Sequence, residues 1–445
     1  VKALQQIRLW AYCCVVNLSL AAVLGLLLRY KIAWPLPALN YKYLLNAHSH
    51  FAFNGWVTTV LFTAFVYILS GSGGTVRKTY RYLFWLNQLS SYGMLVSFTC
   101  QGYGPVSIFF SSFAVLFSYW FAGTYWLDLS NADLPSYVKR CMQAALVFLV
   151  LSSIGPYLLA YSMSHQIANM QFYYNAIYLY LHFQYNGWFT FGVFALFLFT
   201  ASRAGAVIPR KGIRWFVWMM VAACVPAYTL SLLWTDPPGW VRVTAGVAGL
   251  VQCVALAVLT VILWRNRPKS GLWLSRPVHF LWISSYLAFA LKIALQGLSA
   301  IPILGQLAFG NRPVIIAYLH LVMLCFVSFF ILGFLIREGI SGLRGPLARI
   351  GLWMWVGGVI GNELLLLTQS VLALSGHVWE NSPFYLFGAA MAMSIGSMAY
   401  SLFLTRENRL AVPLFSGRNR TGAAIATTPD IRNSEQDQKS SRYPD

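Results

Sequence analysis

Charge is what this 445-residue sequence has least of: only 9% of its residues are Asp, Glu, Lys or Arg, against about a quarter in soluble globular proteins. Cysteine is sparse and unpatterned. Cys13, Cys14, Cys100, Cys141, Cys224, Cys253 and Cys325 are scattered through apolar runs, with no CxxC and no CxxCH. Neither a thiolate zinc site nor a covalent c-type haem is indicated, and all seven read as small buried hydrophobes. The sequence also lacks a phosphate-binding glycine loop, a nucleophile–base constellation, a soluble copper domain and a cytochrome c segment. These absences exclude a soluble enzyme, a nucleic-acid binder and a disulfide-stapled secreted domain.

What is present is apolar: 58% hydrophobic and 16% aromatic residues, with a mean hydropathy of +0.63. Runs of about 20 apolar residues are the signature of transmembrane helices. Turn and charge punctuation places them near 8–28, 44–69, 80–102, 105–127, 140–162, 171–201, 213–234, 241–264, 279–301, 313–336, 349–373 and 383–404. The expected fold is therefore an all-α integral membrane protein of about twelve spans over residues 1–404. The first run has no small-residue cleavage site and reads as a span, not a signal peptide. Residues 405–445 are polar and aperiodic and read as a disordered tail. With twelve spans both termini share one side. That side carries 25 of the 31 basic residues, so the positive-inside rule predicts cytoplasmic termini in a bacterial-type inner membrane. The net charge of +20 then sets orientation and does not signal a polyanion partner.

Two spans share a motif. Residues 50–56 read His-Phe-Ala-Phe-Asn-Gly-Trp and residues 182–188 read His-Phe-Gln-Tyr-Asn-Gly-Trp; Tyr-Leu-His recurs at 180–182 and 318–320. His50, His182 and His320 are 132 and 138 residues apart, and four spans fit each interval. The chain thus reads as three four-helix units, about 1–130, 131–270 and 271–404, in a pseudo-threefold ring. Each histidine falls about 10–17 Å below the outer surface at 1.5 Å per residue. Neutral imidazole is a common ligand for haem iron and copper, so three at one depth suggest a metal layer parallel to the membrane.

This pattern resembles the catalytic subunit of haem–copper oxidases and nitric oxide reductases, with NnrS-type haem and copper membrane proteins as a second relative. The resemblance implies a low-spin haem clamped by His50 and His320 and a copper ligand at His182. It departs from the family where the seventh span, 213–234, has no histidine and where Tyr318-x-His320 stands in place of His-x-His. Tyrosinate can bind haem iron, which makes Tyr318 a candidate cofactor contact. The His-x-His of this chain, His48 and His50, lies on the second span, and positions i and i+2 are about 200° apart on a helix. His48 therefore reads as a pocket wall, a propionate contact or a ligand of a second site.

Among the other polar positions, Lys292 and Glu363 lie near mid-membrane, where charges are costly and either paired or functional. With Gln296 and Asn362 they form a candidate proton or polar path; Gln369 is a further polar group in the spans. Asn54, Gly55, Trp56 and Asn186, Gly187, Trp188 read as packing signals. His165, His279 and His377 fall at span ends and face water or headgroups. The resemblance implies an oxidoreductase-type membrane protein with haem b, copper as a further cofactor, and respiratory electron transfer or nitric oxide and oxygen chemistry. Its partners would be the bilayer, a cytochrome c or quinol donor and further respiratory subunits. Two rival readings are a haem-free proton-coupled transporter or channel and a non-catalytic nitric oxide response protein.

Overall fold

The computed structural model describes residues 2–71, 75–206, 209–266, 274–343 and 345–410. Among them it is all-helical, with no strand. The long helical runs are α1 (Lys2–Ala33), α2 (Tyr41–Ser70), α3 (Lys78–Gln101), α4 (Pro105–Ser130), α5 (Ser136–Ser164) and α6 (170–203). They continue with α7 (Arg210–Thr235), α8 (Gly239–Arg265), α9 (Arg276–Ser299), α10 (Arg312–Arg337), α11 (Pro346–Leu374) and α12 (Ser382–Leu410). A short helix, Pro302–Phe309, links α9 to α10. Helix α12 runs past the expected boundary at 404; the remainder of the expected tail, 411–445, lies outside the described residues.

Ten of these runs are long and apolar enough to cross a membrane, which makes the chain a multi-pass membrane protein by helix composition. The other two expected spans are α3 and α6. Both exceed the roughly 20 residues that span a bilayer, but buried polar side chains dilute their hydropathy: Asn87, Gln88, Ser90 and Ser91 in α3, Gln184 and Asn186 in α6. Large apolar side chains cover the outside of the bundle. Along α8, Trp240, Val243, Val247, Leu250, Val254, Val261 and Trp264 are all exposed, a stripe suited to contact with lipid tails.

Packing closes the helices into a ring. Contacts run from α1 through α2, α3, α4, α5 and α6, on through α7, α8, α9 and α10, and through α11 and α12 back to α1. The last pair is held by small residues. A Cβ on Gly396 would lie 2.3 Å from the Trp355 backbone nitrogen, and one on Gly351 2.5 Å from that of Tyr400, so the two backbones touch directly, as is common between membrane helices. The halves of α2, α6 and α10 that follow the histidines meet at the centre, where Thr59–Phe65, Thr190–Leu196 and Phe329–Leu335 are fully buried.

Each central helix passes through one π-helical stretch: Phe51–Thr58, Phe183–Phe189 and Leu321–Ser328. Each begins at the residue after His50, His182 or His320. A π turn strands backbone carbonyls, and hydroxyls take them up. Thr59, Thr190 and Ser328 donate to the carbonyls of Asn54, Tyr185 and Met323 at 2.6–2.7 Å. The indoles then stitch the helices together: Trp56 Nε1 donates to Ser328 Oγ (2.8 Å) and Trp188 Nε1 to Thr58 Oγ1 (3.3 Å).

The far ends of the same helices are clasped by one carboxylate. Glu338, with its side chain 4% exposed, accepts from Tyr67 and Arg203 at 2.8 Å each and from Thr200 at 3.4 Å. Because Arg203 is half exposed, its ion pair is partly screened and most of the value lies in satisfying the buried hydroxyls. Glu338→Ala should cost about 1–3 kcal/mol, read as a lower melting temperature in detergent, while Glu338→Gln should retain part of the stability. An unchanged melting temperature in Glu338→Ala would remove the clasp from the account.

Candidate functional site: histidines in the N-terminal halves of three central helices

Asparagine precedes each histidine helix. Asn40 caps α2 by accepting from the backbone of Lys42 and Tyr43, Asn169 caps α6 by accepting from Phe172, and Asn311 stands at the same position before α10. From these starts the outer segments are loosely packed. Arg312–His320 contains no fully buried residue and Met170–His182 only Ala176 and His182, whereas the π segments and the halves beyond them are densely buried. The histidines sit at that boundary.

The four imidazoles have four different settings. His48 lies against α1, where its Nδ1 is 3.0 Å from the carbonyl of Ala21. Gly25 makes room for it: a Cβ there would come within 3.3 Å of His48 Cε1. His320 sets its Nδ1 3.0 Å from the carbonyl of Ile316, one turn back on its own helix. A carbonyl only accepts, so in both rings Nδ1 carries the proton and Nε2 keeps its lone pair. Neither Nε2 has a hydrogen-bond partner among the described residues. His320 lies within the electrostatic reach of His48 and of Arg29.

His50 points elsewhere, as the 200° offset from His48 predicts. Its ring stacks on Phe98 (centroids 4.4 Å apart, 12° between planes), and its Nε2 is 3.0 Å from the Tyr103 hydroxyl. Tyr103 occupies the turn between α3 and α4, where burial pushes its phenol up to about 12. It stays protonated at neutral pH, and the His50 Nε2 is engaged with its hydroxyl in either tautomer.

His182 is engaged on both sides. Pro226 turns the outer end of α7 into a 3-10 stretch, Pro226–Thr235. The Tyr228 N–H bonds the Val225 carbonyl at 3.1 Å, which leaves the Cys224 carbonyl without its usual helical partner. His182 Nε2 donates to that carbonyl at 2.8 Å, and Asn186 donates to His182 Nδ1 at 3.0 Å. His182 is thus fully buried with both ring nitrogens hydrogen-bonded to protein, the arrangement of a bridge between helices. Among the described residues, no three His, Cys, Asp or Glu side chains form a metal-binding group.

The remaining candidates divide into two groups. Glu363 and Asn362 hydrogen-bond each other at 3.1 Å, and Glu363 acts electrostatically with Arg29 on the His48–His320 side. Lys292 belongs to the His182 side, where its charge reaches His182 and Cys224. It is completely buried, and its Nζ has no hydrogen-bond partner among the described residues. The Phe289 ring, with its centroid 5.7 Å from that nitrogen, offers about 2 kcal/mol of cation–π attraction, less than the several kcal/mol that burying an ion costs. Lys292 and Glu363 are thus not partners of one another. Gln296, one turn along α9 from Lys292, is buried with an unbonded Oε1, and the buried Tyr318 hydroxyl is also unbonded. The Tyr318 ring lies edge-on to Tyr185 (6.0 Å). Gln369 bonds Ser382 at 3.0 Å, and His165, His279 and His377 are exposed near helix ends.

Two elements of this site carry no signal in the sequence pattern: Arg29, a basic residue at a span end, and Pro226 within an apolar run. The asparagine caps were legible as Asn residues 9–13 positions before each histidine. No family model matches the chain, and no curated protein matches it.

Proposed function

We propose that this chain is a membrane haem protein of the haem–copper oxidase type, in which His48 of α2 and His320 of α10 would hold a b-type haem. The carrying observation is the matched pair of imidazoles, each with Nδ1–H on a backbone carbonyl and Nε2 unengaged. That bond fixes ring orientation and raises the basicity of the coordinating nitrogen, as supporting bonds to metal-bound histidines do. The loosely packed outer segment of α10 supports a ligand of haem size. Arg29 and Arg312, which act on one another electrostatically, suit the two haem carboxylates. When bound, such a haem supplies one-electron transfer and a site for small gases.

The choice of His48 over His50 follows from reading the twelve helices, α3 and α6 included as spans, as three four-helix units about a pseudo-threefold axis. Support comes from the three π segments at one position and from the indole bonds that link successive units. In this arrangement each histidine of the repeat faces, across the space between units, the residue two positions before the next histidine. His320 faces His48, His182 faces Tyr318 through Tyr185, and His50 faces Tyr180, which is coupled to Tyr103. Two imidazoles meet in one space of the three.

With His182 bridged to α7, the reading favours electron transfer within the membrane or nitric oxide and oxygen binding over a haem–copper reaction. Electrons would come from a separate cytochrome c or quinol, and the basic residues support a bacterial-type inner membrane with cytoplasmic termini. The test is iron and copper analysis of the purified protein with a reduced-minus-oxidised spectrum. The expected result is iron without stoichiometric copper and the sharp α and β bands of a bis-histidine haem. Protein free of iron and visible absorbance would overturn the proposal and favour a proton-coupled transporter using Lys292 and Glu363.

A further inference from the structure

The outer wall of the bundle holds a cleft between α1 and α3. Both helices pack against α2, and Trp10 stacks on Phe84 where they approach each other, with ring centroids 4.5 Å apart. Beyond that contact lies a cleft of about 480 Å³, within the size range of small-molecule sites. Tyr12 and Val16 line it from α1, and Trp85, Gln88, Leu89 and Tyr92 from α3. Trp85 and Leu89 are exposed on the outside of the bundle. The lining positions fall about 10–21 Å along both helices at 1.5 Å per residue. With α3 as a span, the cleft therefore lies at hydrocarbon depth and opens to lipid.

Its floor is polar, and the hydrogen bonds there fix which way it faces. Asn17 Nδ2 donates to the Gly55 carbonyl (2.6 Å) and to Gln88 Oε1 (2.8 Å), while the Tyr92 hydroxyl donates to Asn17 Oδ1 (2.8 Å). A carbonyl only accepts, so Asn17 turns its amide nitrogen to Gly55 and Gln88 must present its oxygen to Asn17. Gln88 Nε2 is thereby left without a partner among the described residues, on a side chain only 5% exposed. An unbonded amide away from water is costly, and lipid tails offer it no acceptor. No Lys, Arg or His lines the cleft, which suits a neutral acceptor and not a carboxylate or phosphate. The rings of Tyr12, Trp85 and Tyr92 favour a flat molecule between them. We infer that the cleft binds the ring of a lipid-soluble quinone, with one quinone carbonyl accepting from Gln88 Nε2. Entry is sideways, from the bilayer in which such a molecule dissolves. Neither His48 nor His320 takes part, so the inference does not depend on the haem.

The intact chain, purified in detergent, is titrated with decylubiquinone while thermal unfolding is followed, and an azido-quinone is photo-crosslinked and its attachment mapped by mass spectrometry. A saturable rise in melting temperature is expected for the wild type, with the label on the lining residues of α1 or α3. Gln88→Leu keeps the size and removes the donor. It should raise the half-saturating concentration about 3–10-fold, the scale of one neutral hydrogen bond. Val16→Phe fills the cleft and leaves Gln88 in place. It should abolish both responses, which gives a second reading should Gln88→Leu fold poorly. Decylbenzene has a ring and tail but no carbonyl and should neither stabilise nor compete, and His320→Ala should respond as the wild type does. The inference fails if the wild type gives no saturable response, if the label maps outside the cleft, or if Gln88→Leu or Val16→Phe responds as the wild type does. Equal stabilisation by decylbenzene would make the cleft a seat for lipid chains alone and overturn it. A dimer that Val16→Phe dissociates would assign the cleft to a second copy of the chain, with the same consequence.

Discussion

His320→Ala and His48→Ala are each expected to lose most of the bound haem, while His50→Ala keeps a wild-type reduced-minus-oxidised spectrum. Substituting groups that merely orient a metal-bound histidine costs about 10–100-fold in metal affinity, so removing a ligand should exceed that range. Nε2 of His48 and His320 is unengaged among the described residues, whereas that of His50 is hydrogen-bonded to the Tyr103 hydroxyl. Gly25→Val adds an intermediate arm. Even a single Cβ at that position would crowd His48 at 3.3 Å, and the larger side chain should tilt the ring and broaden the spectrum without abolishing haem binding. Haem content and spectra measured on equal amounts of folded protein decide the matter. Loss in His50→Ala with retention in His48→Ala would move the axial ligand to His50 and sink the assignment made here.

The second large effect concerns the bundle itself. Gly396→Ala should destabilise strongly, because its Cβ would fall 2.3 Å from the Trp355 nitrogen and 2.9 Å from the Gly351 carbonyl. Side chains can rotate away from an intruder, but backbone can yield only if α11 and α12 separate along their length. Overpacking usually costs about 1–3 kcal/mol, and a backbone clash belongs at or above the top of that range. Gly388→Ala on the same helix is the control, since a Cβ there meets nothing within 4 Å. It should be neutral or slightly stabilising, because alanine is the better helix former. Equal melting temperatures for the two variants would show that the α11–α12 contact does not limit stability.

The helices were legible in the sequence because hydropathy and turn residues mark their ends to within about six residues: α9 is expected from 279 and begins at Arg276, α1 is expected from 8 and begins at Lys2. The histidine repeat was legible for the same reason that it exists, namely that His50, His182 and His320 each precede a π segment. Pairing was not legible. Alignment puts His50 in the column of His320, and shared column suggests shared role, yet residues in one column of a rotationally repeated ring face different spaces. In the proposed arrangement the partner of His320 comes from the other column, where His48 stands. The hydrogen bonding of His182 was not legible either: its partner is a carbonyl on α7 that Pro226 leaves without a helical partner, and no pattern around residue 182 registers a proline 44 positions away. Lys292 stood out from composition alone, but that its Nζ has no partner among the described residues is a fact of three dimensions.

The π stretches also separate the helices into parts that can change independently. An extra residue per turn shifts the angular register, so the faces presented above each histidine are no longer tied to those below it. Substitutions in the outer segments therefore need not disturb the three-way contact of the inner ones. The bundle is organised as a fixed base carrying three exchangeable sockets. In this chain one socket carries His48 and His320, one carries His182 beside the buried Lys292, and one carries His50 against Tyr103, all on the same foundation.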